Sequence, residues 1–153
     1  MKNDEVLAVA RECFEERGMN CAQATCYALM KAYGMDADLL AKTLTCFGGG
    51  VLRTRNVCGA LSGALAALGA VHGSMGRRDD MEGYAACSRL GEEMTAWFEE
   101  ANGSMLCSEL IQVPRDDEEA FKAYQAKDGH KTICTPLVLA ATQKMMTIME
   151  GSL

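Results

Sequence analysis

Apolar residues recur every three or four positions along most of the chain, and this spacing places them on one face of an α-helix. Strand-type alternation of Val, Ile and Thr is nearly absent. The pattern predicts helices over residues 4–17, 21–33, 39–47, 57–72, 79–101, 104–111 and 135–150, of which the third and sixth are short. We therefore expect residues 1–153 to form one all-α domain, a bundle of five or six main helices around a glycine-rich central helix.

Several predicted helices begin at residues that favour N-caps. The predicted N-caps are Asn20, Asp36 or Asp38, Asn56, Ser104 and Thr135, with Pro136 at the first position of the closing helix. Before the closing helix, residues 114–131 form the most polar segment of the chain. We expect this segment to be an exposed excursion with about two helical turns.

The predicted central helix carries a row of small residues. Gly59, Gly63 and Ala67 are spaced four apart, so they share one face of the helix. Glycine inside a helix costs about 0.5–1 kcal/mol relative to alanine, and a specific contact must offset that cost. Two interpretations are open: the row lets another helix pack closely, or it makes room for a bulky group near Cys58, such as a cluster. In the second case Gly59 and Gly63 are candidate cofactor-binding residues.

Charge and hydropathy exclude several classes of protein. The formal net charge is −6 at pH 7 and no basic patch is present, so nucleic acid is not expected as a partner. The first residues include two acids and lack the apolar run of a signal peptide, which predicts a cytoplasmic protein. The apolar run 57–71 contains glycines and is shorter than the roughly 20 residues that a membrane-spanning helix needs. We therefore expect no membrane span.

The chain contains eight cysteines, which is unusual for its length. In a reducing cytosol thiols more often serve metal binding or redox chemistry than structural disulfides. Four of them lie at or beside predicted helix N-termini: Cys21, Cys58, Cys107 and Cys134. There the helix dipole and free N–H groups favour the thiolate, which is the form that reacts and binds metals. These four are the candidate redox-active residues and metal ligands, and the alternative is that they are small buried hydrophobic residues.

The other cysteines are not assigned to this site. Cys13 and Cys87 lie on the apolar stripes of their predicted helices and are expected in the core. Cys46 lies near a helix end before the triple glycine and is expected to pack as well, and a spare thiol near the site is the alternative. Cys26 does not share a helix face with Cys21, so its role is open.

Several familiar motifs are absent from the sequence. The chain has no C-x-x-C pair, which excludes a thioredoxin-type site and haem attachment, and it has no ferredoxin-type cysteine run. The triple glycine 48–50 lacks the Lys-Ser/Thr of a P-loop. It predicts a turn, or alternatively backbone N–H groups near an anionic site with Arg53 and Arg55 adding positive charge. His130, four residues before Cys134, is interpreted as a solvated loop residue, and a ligand role is the alternative.

The ordered cysteines and their surroundings resemble the C_GCAxxG_C_C family, small redox-active proteins with a CGAxxG motif and three further cysteines. In this chain the motif is Cys58-Gly59-Ala60-Leu61-Ser62-Gly63, preceded by the glycine-rich "FGGGVLRTRN". The other family cysteines match Cys21 in "GMNCAQA", Cys107 in "NGSMLCSELI" and Cys134 in "TICTPLVLAA". The similarity covers nearly the whole chain and leaves out Cys13, Cys26, Cys46 and Cys87.

The resemblance implies a redox role, with an iron–sulfur cluster or another metal ion as the cofactor. The four candidate cysteines then converge on one site, or they cycle between thiol and disulfide. Such a protein is an oxidoreductase or an electron-transfer protein with a redox partner, and a homo-oligomer is compatible with either. Two alternatives stay open: a closed Zn²⁺ site that only staples the helices together, and a cofactor-free helical interaction module.

Overall fold

Helices provide the regular structure of this chain. The computed structural model describes residues 1–152; 74% of the chain is helical, and these residues contain no strand. The nine α-helices of the described residues are α1 (Asn3–Glu15), α2 (Cys21–Tyr33), α3 (Ala37–Thr43), α4 (Gly48–Val51), α5 (Gly59–His72), α6 (Met81–Asn102), α7 (Cys107–Ile111), α8 (Glu118–Ala126) and α9 (Thr135–Gly151). A 3₁₀ turn (Thr45–Phe47) follows α3, and a π-helical turn (His130–Cys134) leads into α9. The prediction of an all-α fold is confirmed.

The main core lies where α2 and α5 pack against each other and against α1, α6 and α9. A second, smaller apolar cluster forms at one end of the fold from Cys107, Ile111 and Val113, covered by Phe121 and Tyr124. Ile133 and Cys134 pack against both clusters. The two cores therefore meet at the start of α9. None of the helices in residues 1–152 is both long and apolar enough to cross a membrane.

Two predicted helix starts are confirmed in detail. The Asn20 side chain accepts a hydrogen bond from the Gln23 N–H at 2.9 Å, and the Gln23 side chain accepts one from the Asn20 N–H at 3.1 Å. This reciprocal capping box fixes the first turn of α2. Asp36, and not Asp38, caps α3 by accepting from the Leu39 N–H at 3.0 Å. Helix α3 is shorter than predicted because the 3₁₀ turn replaces its last turn.

Asn56 was predicted to cap the glycine-rich helix α5, and this prediction is wrong. Its N–H donates to the Gly50 carbonyl at 3.0 Å, and its own carbonyl accepts from the Cys107 N–H at 2.7 Å. These bonds hold Asn56 in an extended connection outside the helix. The N-cap of α5 is Cys58 itself.

The predicted caps of the last two candidate segments are also wrong. Ser104 accepts a hydrogen bond from the Leu106 N–H at 3.0 Å, but α7 begins later, with Leu106 as its N-cap. Thr135 is the first residue of α9 and not its N-cap, because the π-helical turn runs directly into the helix and Cys134 holds the N-cap position. The Thr135 hydroxyl donates instead to a Glu15 carboxylate oxygen at 2.9 Å, which ties α9 to α1.

The triple glycine forms the predicted turn, so the short segment α4 is a left-handed turn and not a regular right-handed helix. Gly49 and Gly50 have φ values of 64° and 66°, and Val51, Leu52 and Arg53 follow at 70°, 49° and 62°. A left-handed backbone costs a non-glycine residue roughly 1–2 kcal/mol, and it is rarest for β-branched side chains such as valine. Contacts around the turn must therefore hold this conformation in place.

Candidate functional site

One cavity of about 360 Å³ is lined by Cys21, Cys58, Cys107 and Cys134, which we call the cavity cysteines. They come from four separate segments: the first residue of α2, the residue before α5, the first residue of α7 and the end of the π-helical turn. All eight cysteines of the chain are free thiols. The fold thus places the four candidate residues in the wall of one cavity, although long stretches of chain separate them.

The missing side chains of two glycines let α2 and α5 approach each other. A Cβ added at Gly59 would collide with the Cys21 sulfur and lie 3.0 Å from the Phe47 carbonyl oxygen. A Cβ added at Gly63 would collide with the Ala22 carbonyl oxygen. Close packing, one of the two interpretations of the glycine row, is therefore present at both positions.

The two glycines differ in their relation to the cavity. Gly59 lines it beside Cys21 and Cys58. Gly63 lies one turn further along α5, against the backbone of α2, and does not line the cavity. Only Gly59 of this pair is therefore placed to contact a group held in the cavity.

A short backbone bridge ties the segment of Cys58 to the segment of Cys107. The Cys58 N–H donates to the Met105 carbonyl at 2.8 Å, and the Cys107 N–H donates to the Asn56 carbonyl at 2.7 Å. These bonds flank an isolated antiparallel β-bridge between Val57 and Leu106. This connection joins the two backbone segments that carry Cys58 and Cys107.

Burial raises the pKa of Cys21 and of Cys58 above the ordinary value for a thiol. The Gly49 N–H opposes the rise at Cys21, and the Ala60 N–H opposes it at Cys58. The Cys107 sulfur lies close enough to raise both pKa values further. Both thiols therefore keep their protons at neutral pH, and a bound cation would favour their release as thiolates.

Side chains contact the other two sulfurs. Arg55 Nη1 donates to Cys107 Sγ at 3.8 Å, and the Tyr124 hydroxyl is hydrogen-bonded to Cys134 Sγ at 3.1 Å. Burial raises the pKa of Cys134 to about 11, and the hydrogen bond from Tyr124 partly opposes this rise. Burial also raises the pKa of Tyr124. Tyr124 is therefore protonated and able to donate to a thiolate at Cys134.

The polar segment 114–131 has a larger role than the predicted exposed excursion. It contains α8, whose Phe121 and Tyr124 stack with ring centroids 5.8 Å apart and line the cavity. His130 is exposed, as predicted, but its ring stacks on Phe14 at 3.9 Å and also lines the cavity. Phe121, Tyr124 and Phe14 are not among the site residues predicted from the sequence. The signal for the first two was an aromatic pair three residues apart in an otherwise charged helix.

The cavity cysteines do not form a closed site for a single metal ion. Within residues 1–152 no three His, Cys, Asp or Glu side chains are grouped so that they could hold one. A tetrahedral zinc site requires four ligand atoms at about 2.0–2.3 Å from one ion. The four cysteines therefore line the cavity without the grouping of ligands that a zinc site requires.

The remaining cysteines lie away from this cavity. Cys13 and Cys26 are fully buried in the main core, and Cys87 is half-buried at its edge. The prediction for Cys13 is confirmed. Cys46 is exposed, so the prediction that it packs is wrong. Cys46 is the middle residue of the 3₁₀ turn that follows α3, and its side chain lies on the surface there.

Comparison with known families gives one match. A family model described as "Putative redox-active protein (C_GCAxxG_C_C)" matches residues 19–148, which is most of the chain. This range includes all four cavity cysteines. No curated protein matches the chain, and no solved structure matches it.

Proposed function

The chain belongs to the C_GCAxxG_C_C family, and we propose that it is a redox-active protein whose four cavity cysteines bind one iron–sulfur cluster. The observation that carries the proposal is the cavity itself, where four soft ligands from four segments surround about 360 Å³. Cysteine thiolates are the usual ligands of such clusters. A cluster suits this site better than a single zinc ion, because no three ligands are grouped around one point in the described residues.

The surroundings of the sulfurs support the same assignment. A cluster held by four thiolates carries negative charge, which N–H donors and cations stabilise. Arg55 lies against Cys107, and the Gly49 N–H is directed to Cys21. The cluster would supply electron transfer, and the residues of this chain would hold it and limit the access of water. The proposed chemistry requires a reducing compartment, where free thiols persist.

The glycine-rich helix α5 has a specific place in this proposal. It contacts α2, α6 and α9, and we propose that the bundle is organised around it. Its N-terminus carries Cys58, and Gly59 leaves the space that the Cys21 sulfur occupies. The row of small residues would then serve the site through close helix packing, and Gly59 alone would border the cluster.

Anaerobic purification followed by iron, zinc and acid-labile sulfide analysis tests the proposal. We expect iron and sulfide together with visible absorption. Replacing any one cavity cysteine by serine should reduce all three signals. Cys46→Ser is the matched control, because Cys46 is exposed and does not line the cavity, and this variant should keep the wild-type spectrum.

Two other outcomes would replace the cluster by another function. Stoichiometric zinc without visible absorption, lost in the same four variants, would indicate a structural site. Metal-free protein that forms a disulfide between Cys21 and Cys58 would indicate thiol–disulfide exchange. The structure gives a reason to examine that pair, since the Cys21 sulfur lies at Gly59, directly beside Cys58.

A further inference from the structure

Two arginines, Arg53 and Arg55, supply the permanent positive charge in the cavity wall. Among the described residues that line the cavity, His130 is the one further basic side chain, and none is an aspartate or a glutamate. Arg55 is half-buried, and no carboxylate of residues 1–152 forms an ion pair with either arginine. A partly desolvated guanidinium favours an anionic partner. In a chain with a net charge of −6, this cavity is locally cationic.

The rest of the cavity wall suits an apolar body. Phe14, Phe121 and Leu137 line it, and the Arg55 guanidinium lies 5.6 Å from the centre of the Phe121 ring. Small-molecule pockets begin at about 300 Å³ and combine apolar walls with a few polar groups. A cavity of about 150 Å³ already holds benzene. The 360 Å³ of space here is therefore large enough for a small aromatic molecule.

We propose that this cavity binds a small organic anion, whose carboxylate group pairs with Arg55 and whose apolar body packs against Phe121, beside the cavity cysteines. The planar guanidinium can hold a carboxylate through two parallel hydrogen bonds. This deepens the proposed function and rests on it: the anion is the substrate or ligand of the redox site. The chain would then act on a small molecule rather than serve only as an electron carrier.

The far side of the two arginines does not offer a second anion site. A smaller depression of about 170 Å³ is lined by Arg53, Arg55 and the acidic side chains of Asp116, Asp117 and Glu118. Their negative charge repels an anion approaching from that side. An anion therefore binds most favourably on the side that faces the cysteines, where no acidic side chain lines the cavity.

Isothermal titration of the reduced, anaerobic protein with benzoate tests the proposal, with benzamide as the neutral analogue of the same shape. We expect benzoate to bind, and benzamide to bind about tenfold more weakly or worse, because charge-assisted hydrogen bonds are lost. Arg55→Gln should weaken benzoate binding by a similar factor and leave benzamide unchanged. Arg115→Gln is the control, since Arg115 is an exposed arginine that does not line the cavity.

A second variant keeps the test valid if Arg55→Gln folds poorly by circular dichroism. Arg53 is more exposed than Arg55, so Arg53→Gln should weaken benzoate binding by a smaller factor, about two- to threefold. Equal binding of benzoate and benzamide, or wild-type affinity in folded Arg55→Gln, would overturn the proposal. So would the absence of benzoate binding at millimolar concentration.

Parallel titrations of the protein as purified and after removal of metal by a chelator separate this proposal from the cluster. We expect benzoate to bind both forms. Binding to the metal-free form alone would mean that the cluster fills the cavity, which overturns the anion site and leaves the cluster standing. Arg55-dependent binding of benzoate to a protein that never contains metal would overturn the cluster and leave the anion site standing.

Discussion

The two sides of the cysteine cavity are built in different ways. On one side, Cys21 and Cys58 lie at the start of α2 and just before α5, where their sulfurs meet backbone N–H groups and a glycine. On the other side, Cys107 is contacted by the Arg55 side chain and Cys134 by the Tyr124 hydroxyl. Backbone positions are fixed by helix packing, whereas side chains can be exchanged without moving the helices.

The two sides of the cavity therefore control different properties of the site: the first controls the positions of the sulfurs, and the second controls their chemical surroundings. Any atom added between α2 and α5 must move a helix, so the first side sets where the sulfurs are. A change at Arg55 or Tyr124 alters the charge and hydrogen bonding at a sulfur but leaves the helices in place. We therefore expect substitutions on the first side to cost stability, and substitutions on the second side to change binding and redox behaviour.

Gly63→Leu is expected to give the largest effect. A side chain at this position enters the backbone of α2 at Ala22, which cannot move away as a flexible side chain could. Overpacking typically costs 1–3 kcal/mol, and a backbone obstacle favours the upper end, about 3 kcal/mol. The melting temperature should fall by roughly 6–12 °C, measured by circular dichroism.

Gly69→Ala is the matched control on the same helix. Nothing lies within 4 Å of a Cβ added at Gly69, and this residue is exposed. Alanine should therefore stabilise α5 by about 0.5–1 kcal/mol, through its better helix propensity. If Gly63→Leu melted like the wild type, α2 and α5 would not be in the close contact described above.

The sequence predicts the first side of the cavity better than the second. Asn20 is a local signal for the start of α2, and this prediction is confirmed. The four-residue spacing of Gly59 and Gly63 indicates a close approach of some element to α5. Both signals are contained in a few neighbouring residues, which is why they can be interpreted without coordinates.

The second side depends on contacts between distant residues. Asn56 has a side chain that is suited to an N-cap. Its backbone carbonyl is instead hydrogen-bonded to the N–H of Cys107, 51 positions away, and this long-range contact overrides the local preference for capping. Tyr124 lies in the most polar segment of the chain, and nothing local shows that it contacts Cys134. The strained turn at Val51 was also not foreseeable, since valine rarely adopts a positive φ.

Alkaline pH should destabilise the metal-free protein through its buried thiols. Burial raises the pKa of Cys26 in α2 from 9.0 to about 11, so the folded state keeps a proton that the unfolded state loses. This contribution to stability is fully present below pH 9 and is lost as the pH rises through about 11. We expect Cys26 to account for a loss of about 2–3 kcal/mol over this range, measured by urea unfolding.

The difference between the wild type and Cys26→Ala isolates this contribution from other groups that titrate at high pH. Cys46→Ala is the matched control, because it makes the same substitution at an exposed position. Cys26 lies outside the cavity, so its contribution should persist when metal is bound. An identical pH dependence in Cys26→Ala and the wild type would show that this thiol is not buried as described.

Leu52→Gly is expected to give the smallest effect, and it tests whether strain is kept in the turn beside the cavity. The Leu52 side chain is 65% exposed and its backbone is in the left-handed conformation. Glycine at this position should therefore remove most of the free-energy cost of that conformation and lose little packing. After allowing for the greater freedom of glycine in the unfolded chain, we expect a gain of about 0.5–1 kcal/mol in urea unfolding. Leu39→Gly is the matched control, because Leu39 is 57% exposed but lies inside the right-handed helix α3, and it should lose about 1 kcal/mol. Equal losses in both variants would mean that the Leu52 side chain holds the turn closed. Because Leu52 also lines the cavity, a gain in stability accompanied by weaker benzoate binding would mean that this strained turn contributes to the binding site.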